Sequence, residues 1–282
     1  MMIVTVAKTA GFCFGVKHAV DVAYKLSEDN ETPIYTYGPL IHNEEVIKEL
    51  LERGVKEVDD ISLFPQLPKG KVIIRSHGVS KAEEDEIISS GHEIVDATCP
   101  NVKKIHKIVL EHSTNNETIV IIGDKTHPEV KGILGWCVGK KAVILGTLED
   151  ANVFNDENDE KILIVSQTTF NQNKFKQIVE IVLKKRYDIN VINTICNATR
   201  ERQDEAASLA ESNDAMIVIG SKTSSNTQKL YEICSSKCKN TYYIQTVNDL
   251  DLSNDQDIHS VGITAGASTP NKLIEEVQKN VK

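Results

Sequence analysis

The chain repeats itself three times in register with three of its cysteines, and a sequence that does so folds as three copies of one unit. Counting from Cys13, Cys99 and Cys196, glycines follow at offsets of 25, 24 and 24, as Gly38, Gly123 and Gly220. His42, His127 and Ser224 follow at offsets of 29, 28 and 28. The text agrees best between the last two copies, IVIIGDKTHPEV (119–130) against MIVIGSKTSSNT (216–227), with YTYGPLIHNEEV (35–46) as a looser third. The 282 residues divide into repeats 1–92, 93–189 and 190–282, each about the size of a small domain.

Each repeat predicts the same elements. A β-rich run opens it, IVTVA (3–7), EIVDAT (93–98) or NVINTI (190–195), and ends at the cysteine. An amphipathic helix follows, with Val16, Ala19, Val20, Ala23 and Leu26 at helical spacing in the first copy and Val102, Ile105, Ile108 and Val109 in the second. A second strand ends at the aligned glycine and a polar tip, where another helix starts. Gly54 is a C′ stop for the first of these helices. Third and fourth strands lead to a second set of tips, His77-Gly78, Thr168-Thr169 and Gly266-Ala267-Ser268. Ser80, Asn171 and Thr269-Pro270 are the expected helix starts beyond them. Strands alternating with helices predict an α/β protein of three pseudo-equivalent domains with mostly parallel sheets. Such sheets bind ligands beyond the carboxyl ends of their strands, where all three cysteines and all six tips fall.

Composition narrows the function. A formal charge of −9 argues against nucleic-acid binding, which needs a basic face. No apolar run reaches the ~20 residues of a membrane span. The start, MMIVTVAKTAGFC, has no basic n-region and reads as a strand, so no secretory signal is expected and the cytoplasm is the expected location. Six cysteines in a cytosolic chain point to metal binding or catalysis rather than disulfides.

A cysteine between a strand end and a helix start has free amides and the positive helix end beside it, which favours an anionic sulfur. Cys13, Cys99 and Cys196 lack the close doublets of zinc ribbons and the compact runs of ferredoxins. Any one of them alone is as well read as a small apolar residue at a tight turn; three in register favour a metal. Three thiolates leave one corner of a tetrahedral metal or a four-iron cluster open for chemistry. Cys234 and Cys238, at i and i+4, share a helix face that could hold a metal, but no third ligand type flanks them and they read as core, as does Cys137 beside Trp136.

The tips carry the remaining chemistry. His42, His77 and His127, with Ser224, Ser225, Asn226 and Ser268 in the third repeat, form a set of imidazole, hydroxyl and amide donors suited to phosphate. Taken singly, each is also a good cap or turn former. Glu129 puts a carboxyl among these donors, badly placed to hold an anion and well placed to carry a proton. Thr168 can orient it or a substrate hydroxyl. A hydro-lyase using an open iron as a Lewis acid, and a non-catalytic iron or redox sensor, stay open on the residues alone.

Eight segments in order resemble the 4-hydroxy-3-methylbut-2-enyl diphosphate reductase family, which closes the methylerythritol phosphate route to isoprenoids. They are GFCFGVKHAV (11–20), YGPLIHN (37–43), RSHGV (75–79), DATCP (96–100), GDKTHPEV (123–130), SQTT (166–169), GSKTSSN (220–226) and TAGAST (264–269). The resemblance spans the whole chain and implies a trefoil of α/β domains around one [4Fe–4S] cluster per chain. It implies that Cys13, Cys99 and Cys196 ligate that cluster and that His42, His77, His127, Ser224, Ser225, Asn226 and Ser268 grip the substrate diphosphate. Glu129, with Thr168 and His127, would serve the substrate hydroxyl and deliver protons. The implied reaction removes the allylic hydroxyl with two electrons and two protons, giving isopentenyl and dimethylallyl diphosphate. Reduced ferredoxin or flavodoxin would supply the electrons, and a monomer is expected.

Overall fold

A computed structural model describes residues 2–28, 31–139, 141–155, 161–185, 188–251 and 258–281. The described strands form three four-stranded sheets in which every pairing is parallel. The strands are β1 (Ile3–Val6), β2 (Ile34–Tyr37), β3 (Val55–Val58), β4 (Lys71–Ile74), β5 (Glu93–Asp96), β6 (Thr118–Ile122), β7 (Ala142–Leu145), β8 (Ile162–Ser166), β9 (Ile189–Val191), β10 (Ala215–Ile219), β11 (Asn240–Ile244) and β12 (Ser260–Ala265). The helices are α1 (Phe14–Ser27), α2 (Glu44–Glu52), α3 (Lys81–Ser89), α4 (Pro100–Thr114), α5 (Pro128–Gly135), α6 (Leu148–Val153), α7 (Gln172–Leu183), α8 (Asn197–Ser212), α9 (Ser225–Ser235) and α10 (Asn271–Val281).

The sheets run β3-β2-β4-β5, β7-β6-β8-β9 and β11-β10-β12-β1. Each therefore holds the third, second and fourth strands of one repeat and takes its last edge from the strand that opens the next. The repeats bounded at 92/93 and 189/190 and the sheets are offset by one strand. The cause is the crossover: α3 or α7 carries the chain back over its own sheet, so the following strand docks parallel beside β4 or β8. β1 fills the corresponding edge of the third sheet by pairing with β12, Ile3 opposite Ser260 and Val6 opposite Ile263.

Central strands are mostly apolar because helices cover both faces. All five residues of β6, β8 and β10 are buried, whereas edge strands such as β1 and β5 are half-exposed. Val120, Ile122, Ile162 and Ile164 pack under Phe175 and Ile178 of α7 on one face of the second sheet. Ile119, Ile121, Leu163 and Val165 pack with Ile105, Val109, Val130 and Ile133 on the other. Burial of such side chains contributes ~1.5–3 kcal/mol each.

The repeat-aligned glycines explain how helices come so close to strand ends. A Cβ on Gly123 would lie 2.7 Å from Val130, and one on Gly220 2.7 Å from the Thr227 hydroxyl. Both partners stand seven residues on, in the first turns of α5 and α9. Ser80 caps α3 in a full capping box, and the Asn171 side chain accepts from the amides of Asn173 and Lys174. Thr269 differs from expectation: its hydroxyl donates to the Ile219 carbonyl at 3.0 Å. Cys238 differs too, since α9 ends at Ser235 and leaves it outside the helix that carries Cys234.

The described chain forms two compact units. One comprises 1–17, 42–45 and 196–282, with the sheet β11-β10-β12-β1. The other comprises 18–41 and 46–195, with the remaining two sheets.

Candidate functional site

The unit containing 46–195 holds Cys99, His77, His127, Glu129 and Thr168. Cys99 is the residue before α4, with Pro100 at the first helical position, where no amide is needed. Its amide donates to the Ser76 carbonyl at 3.0 Å, tying the cysteine turn to the tip that carries His77. The imidazoles of His77 and His127 meet edge to face, with centroids 5.4 Å apart. His127 caps α5 by accepting the Glu129 amide on Nδ1 at 3.1 Å. Nδ1 is thus an acceptor, and the neutral ring carries its proton on Nε2 as a donor.

Glu129 follows one residue into that helix and is 2 % exposed. Its Oε1 accepts the Thr168 amide at 2.6 Å and its Oε2 the Thr168 hydroxyl at 2.8 Å. Burial pushes its pKa up from 4.5 to about 7, against the pull of those two hydrogen bonds. A carboxyl poised near neutrality can both give and take a proton.

The other unit holds Cys13, Cys196, His42, Ser224, Ser225, Asn226 and Ser268. Cys13 precedes α1, and its amide donates to the Ala267 carbonyl at 3.3 Å, beside Ser268. Cys196 caps α8: its Sγ accepts the Thr199 amide at 3.4 Å and lies 3.1 Å from the Thr199 hydroxyl. Ser224 caps α9, accepting the Thr227 amide at 3.4 Å, so Ser225 and Asn226 occupy that helix's first turn. The buried Asn226 Nδ2 has no hydrogen-bond partner among the described residues. His42 lies on the 42–45 segment, where Glu44 accepts the Ser221 hydroxyl at 3.0 Å.

The donor sets fit the groups that the sequence suggested. Cys13, Cys99 and Cys196 are half-buried cysteines outside any disulfide, each at a strand-to-helix turn, and soft sulfur ligands of this kind suit iron and iron–sulfur groups. Cys137 and Cys234 behave otherwise, burial pushing their thiols up to about 11 and about 12. An orphaned buried amide such as Asn226 Nδ2 matches an anionic ligand, because leaving it unpaired costs ~1–3 kcal/mol. Sequence reasoning passed over Thr199 and Arg202. The first had a signal in the Cys-x-x-Thr spacing of an N-cap; the second had none.

The sequence model of the LytB protein family matches residues 4–282. A 4-hydroxy-3-methylbut-2-enyl diphosphate reductase of Caldanaerobacter subterraneus subsp. tengcongensis is 45% identical over 282 residues, 100% of this chain and 97% of the relative. A protein of the same name from Clostridioides difficile is 44% identical, covering 98% of each chain. Among solved structures, one of (E)-4-hydroxy-3-methyl-but-2-enyl diphosphate reductase matches with a TM-score of 0.70 and 40% identity, over 100% of this chain and 99% of that one. The Plasmodium falciparum E-1-hydroxy-2-methyl-but-2-enyl-4-diphosphate reductase matches with a TM-score of 0.90 and 30% identity, over 99% of this chain and 87% of that one.

Proposed function

The chain belongs to the LytB protein family, and from that premise we propose that it reduces 4-hydroxy-3-methylbut-2-enyl diphosphate to isopentenyl and dimethylallyl diphosphate. The allylic C–O bond breaks, two electrons enter the allyl fragment, one proton leaves with the hydroxyl as water and one goes to carbon. Cys13, Cys99 and Cys196 would hold one [4Fe–4S] cluster, matching the repeat register and the chemistry of three reduced thiols. When bound, that cluster would supply the electrons one at a time and Lewis acidity toward the allylic hydroxyl.

The protein's own residues do the rest. His42, His77, His127, Ser224, Ser225, Asn226 and Ser268 bind the diphosphate through imidazole, hydroxyl and amide donors, and the Asn226 Nδ2 atom gains the acceptor it otherwise lacks. That remote binding energy positions the alcohol for reaction. Thr168 orients Glu129 and the substrate hydroxyl, and Glu129 passes protons inward. The single observation that carries this reading is Glu129 itself, fully buried, gripped at both oxygens and poised near pH 7. Ferredoxin or flavodoxin is the proposed donor, the cytoplasm the proposed compartment and a monomer the proposed state. Among the described residues no helix is long and apolar enough to cross a membrane.

An anaerobic assay with the allylic diphosphate, with and without dithionite, tests the reading. Formation of both isomers only with reductant is expected; dehydration without reductant, or no consumption by iron-loaded protein, overturns it.

A further inference from the structure

α8 starts at Cys196 and presents two charged residues to the segment that carries Cys13. Glu205 takes the amides of Lys8 and Thr9 at 2.8 and 2.9 Å and the Thr9 hydroxyl at 2.6 Å. One turn earlier, Arg202 is 3 % exposed, an unusual position for a guanidinium. Its Nη2 donates to the Gly11 carbonyl at 2.9 Å and its Nη1 to the Ala265 carbonyl at 2.6 Å. Gly11 stands two residues before Cys13; Ala265 ends β12 and opens the tip that carries Ser268. The Cys13 amide completes the closure on the Ala267 carbonyl. Gly11 is required in this turn, since its φ is +98° and a Cβ there would lie 2.5 Å from the Asn271 side-chain oxygen.

Two carbonyls satisfy donors and do not neutralise a charge. Burial pulls the Arg202 guanidinium below its ordinary value, and the sulfurs of Cys13 and Cys196, together with the Glu205 carboxylate, oppose that shift. An arginine keeps its proton regardless, so a buried cation lies within electrostatic reach of two sulfurs on separate turns. A buried charge is stable only when paired. Three thiolates on an iron–sulfur core make an anionic group, and its reduction adds another negative charge.

We propose that Arg202 is a positioning residue with two functions: its fork joins the Cys13 turn to the Ser268 tip, and its charge favours the reduced form of the group held by Cys13 and Cys196. The inference rests on the cluster reading and extends it to a residue that touches neither substrate nor iron. The fork sets geometry; the charge sets potential.

Two substitutions separate these functions. Arg202→Lys keeps the charge and loses the two-pronged geometry, whereas Arg202→Met keeps bulk and loses both. Each anaerobic protein is analysed for iron and sulfide and then titrated with reductant under spectroscopic observation. Arg202→Met is expected to make one-electron reduction about tenfold less favourable, a midpoint 59 mV more negative. Arg202→Lys should keep its midpoint within about twofold of the native equilibrium while releasing iron faster in air. If Arg202→Met does not fold, Arg202→Gln carries the same comparison. Equal midpoints in all the iron-containing proteins overturn the charge function, as do equal shifts in the Lys and Met variants. Native iron retention by Arg202→Lys overturns the fork. A wild-type chain that binds no iron overturns the cluster reading and this role with it, whereas normal iron and an unmoved midpoint sink Arg202 alone.

Discussion

Thr168 donates its amide to one oxygen of the Glu129 carboxyl at 2.6 Å and its hydroxyl to the other at 2.8 Å. One residue from the end of β8 thus grips both oxygens of an acid on α5. Desolvation still outweighs that support and leaves the group near neutrality.

Replacing Glu129 by Gln is expected to keep iron content and substrate binding and to lower turnover by ~10²–10⁴-fold, the usual contribution of a positioned proton donor. The same substitution has a signature in stability. The unfolded carboxyl titrates near 4.5 and the folded one near about 7. Its stabilising contribution is therefore complete below pH 4.5, falls as pH rises between the two values, and levels off above about 7. Denaturant unfolding of the two anaerobic proteins from pH 4 to 8 should show the Gln variant gaining on the wild type across that window. A constant difference would remove the titration from Glu129.

Thr168→Val deletes the hydroxyl and keeps the amide. Both Thr168 hydrogen bonds lower the Glu129 pKa, so the variant should hold its proton to higher pH. The alkaline limb of the turnover profile is expected to move up, while kcat/KM at neutral pH falls ~10–100-fold, the value of a hydrogen bond to a charged group. A fall in rate with an unmoved limb would leave Thr168 as a substrate contact only.

The repeat made the strand-to-helix turns of this fold legible in the sequence. Strand ends, cysteine turns and tips all follow from one alignment, because a parallel α/β unit must change from strand to helix at such points. Strand exchange was not legible, since nothing local in IVTV (3–6) says that it pairs with 260–263. Arg202 was equally silent. In NATRERQDEA (197–206) it reads as one more charge on a polar helix. Only the carbonyls of Gly11 and Ala265, 191 and 63 residues away in the chain, give it a purpose. Glu129 was legible as a residue, but its poise near pH 7 depends on burial, which spacing does not report.

Serine at Cys13, Cys99 or Cys196 should each abolish most of the iron and sulfide found after anaerobic purification. Serine at Cys137 or Cys234 should leave both at wild-type levels, because those thiols are held protonated by burial. Cys234 packs in one buried cluster with Ala206 and Leu230, so its replacement by Ala is expected to cost roughly 1 kcal/mol of stability through a small cavity. Full iron retention in any of the first three variants would break the ligand set.

Gly123→Ala should destabilise by ~1–3 kcal/mol, since its Cβ would lie 2.7 Å from Val130 Cγ2 and 3.0 Å from the Gln167 side chain. Val130→Ala removes the nearer of these atoms and empties part of a packed cluster, itself a loss. Combined, the two should cost less than their sum, because the cavity admits the new methyl. A double-mutant cycle measured by urea unfolding reads the coupling directly. Strict additivity would mean that the glycine is not set by the approach of α5.

Asn226 offers the cleanest separation of binding from folding. Its Nδ2 is buried and has no hydrogen-bond partner among the described residues, so deleting that donor removes no contact that holds the fold. Asn226→Leu keeps the volume, relieves the unpaired amide and should leave the unfolding midpoint unchanged or slightly raised. A diphosphate approaching the same position finds one donor fewer. Binding of the allylic diphosphate, followed by calorimetry on anaerobic protein, should weaken ~10–100-fold. Asn226→Asp should weaken it further, because a carboxylate repels the ligand at a position that had offered it a proton. Equal affinity in all three proteins would assign the orphaned amide to local packing in α9 and take it out of the anion site.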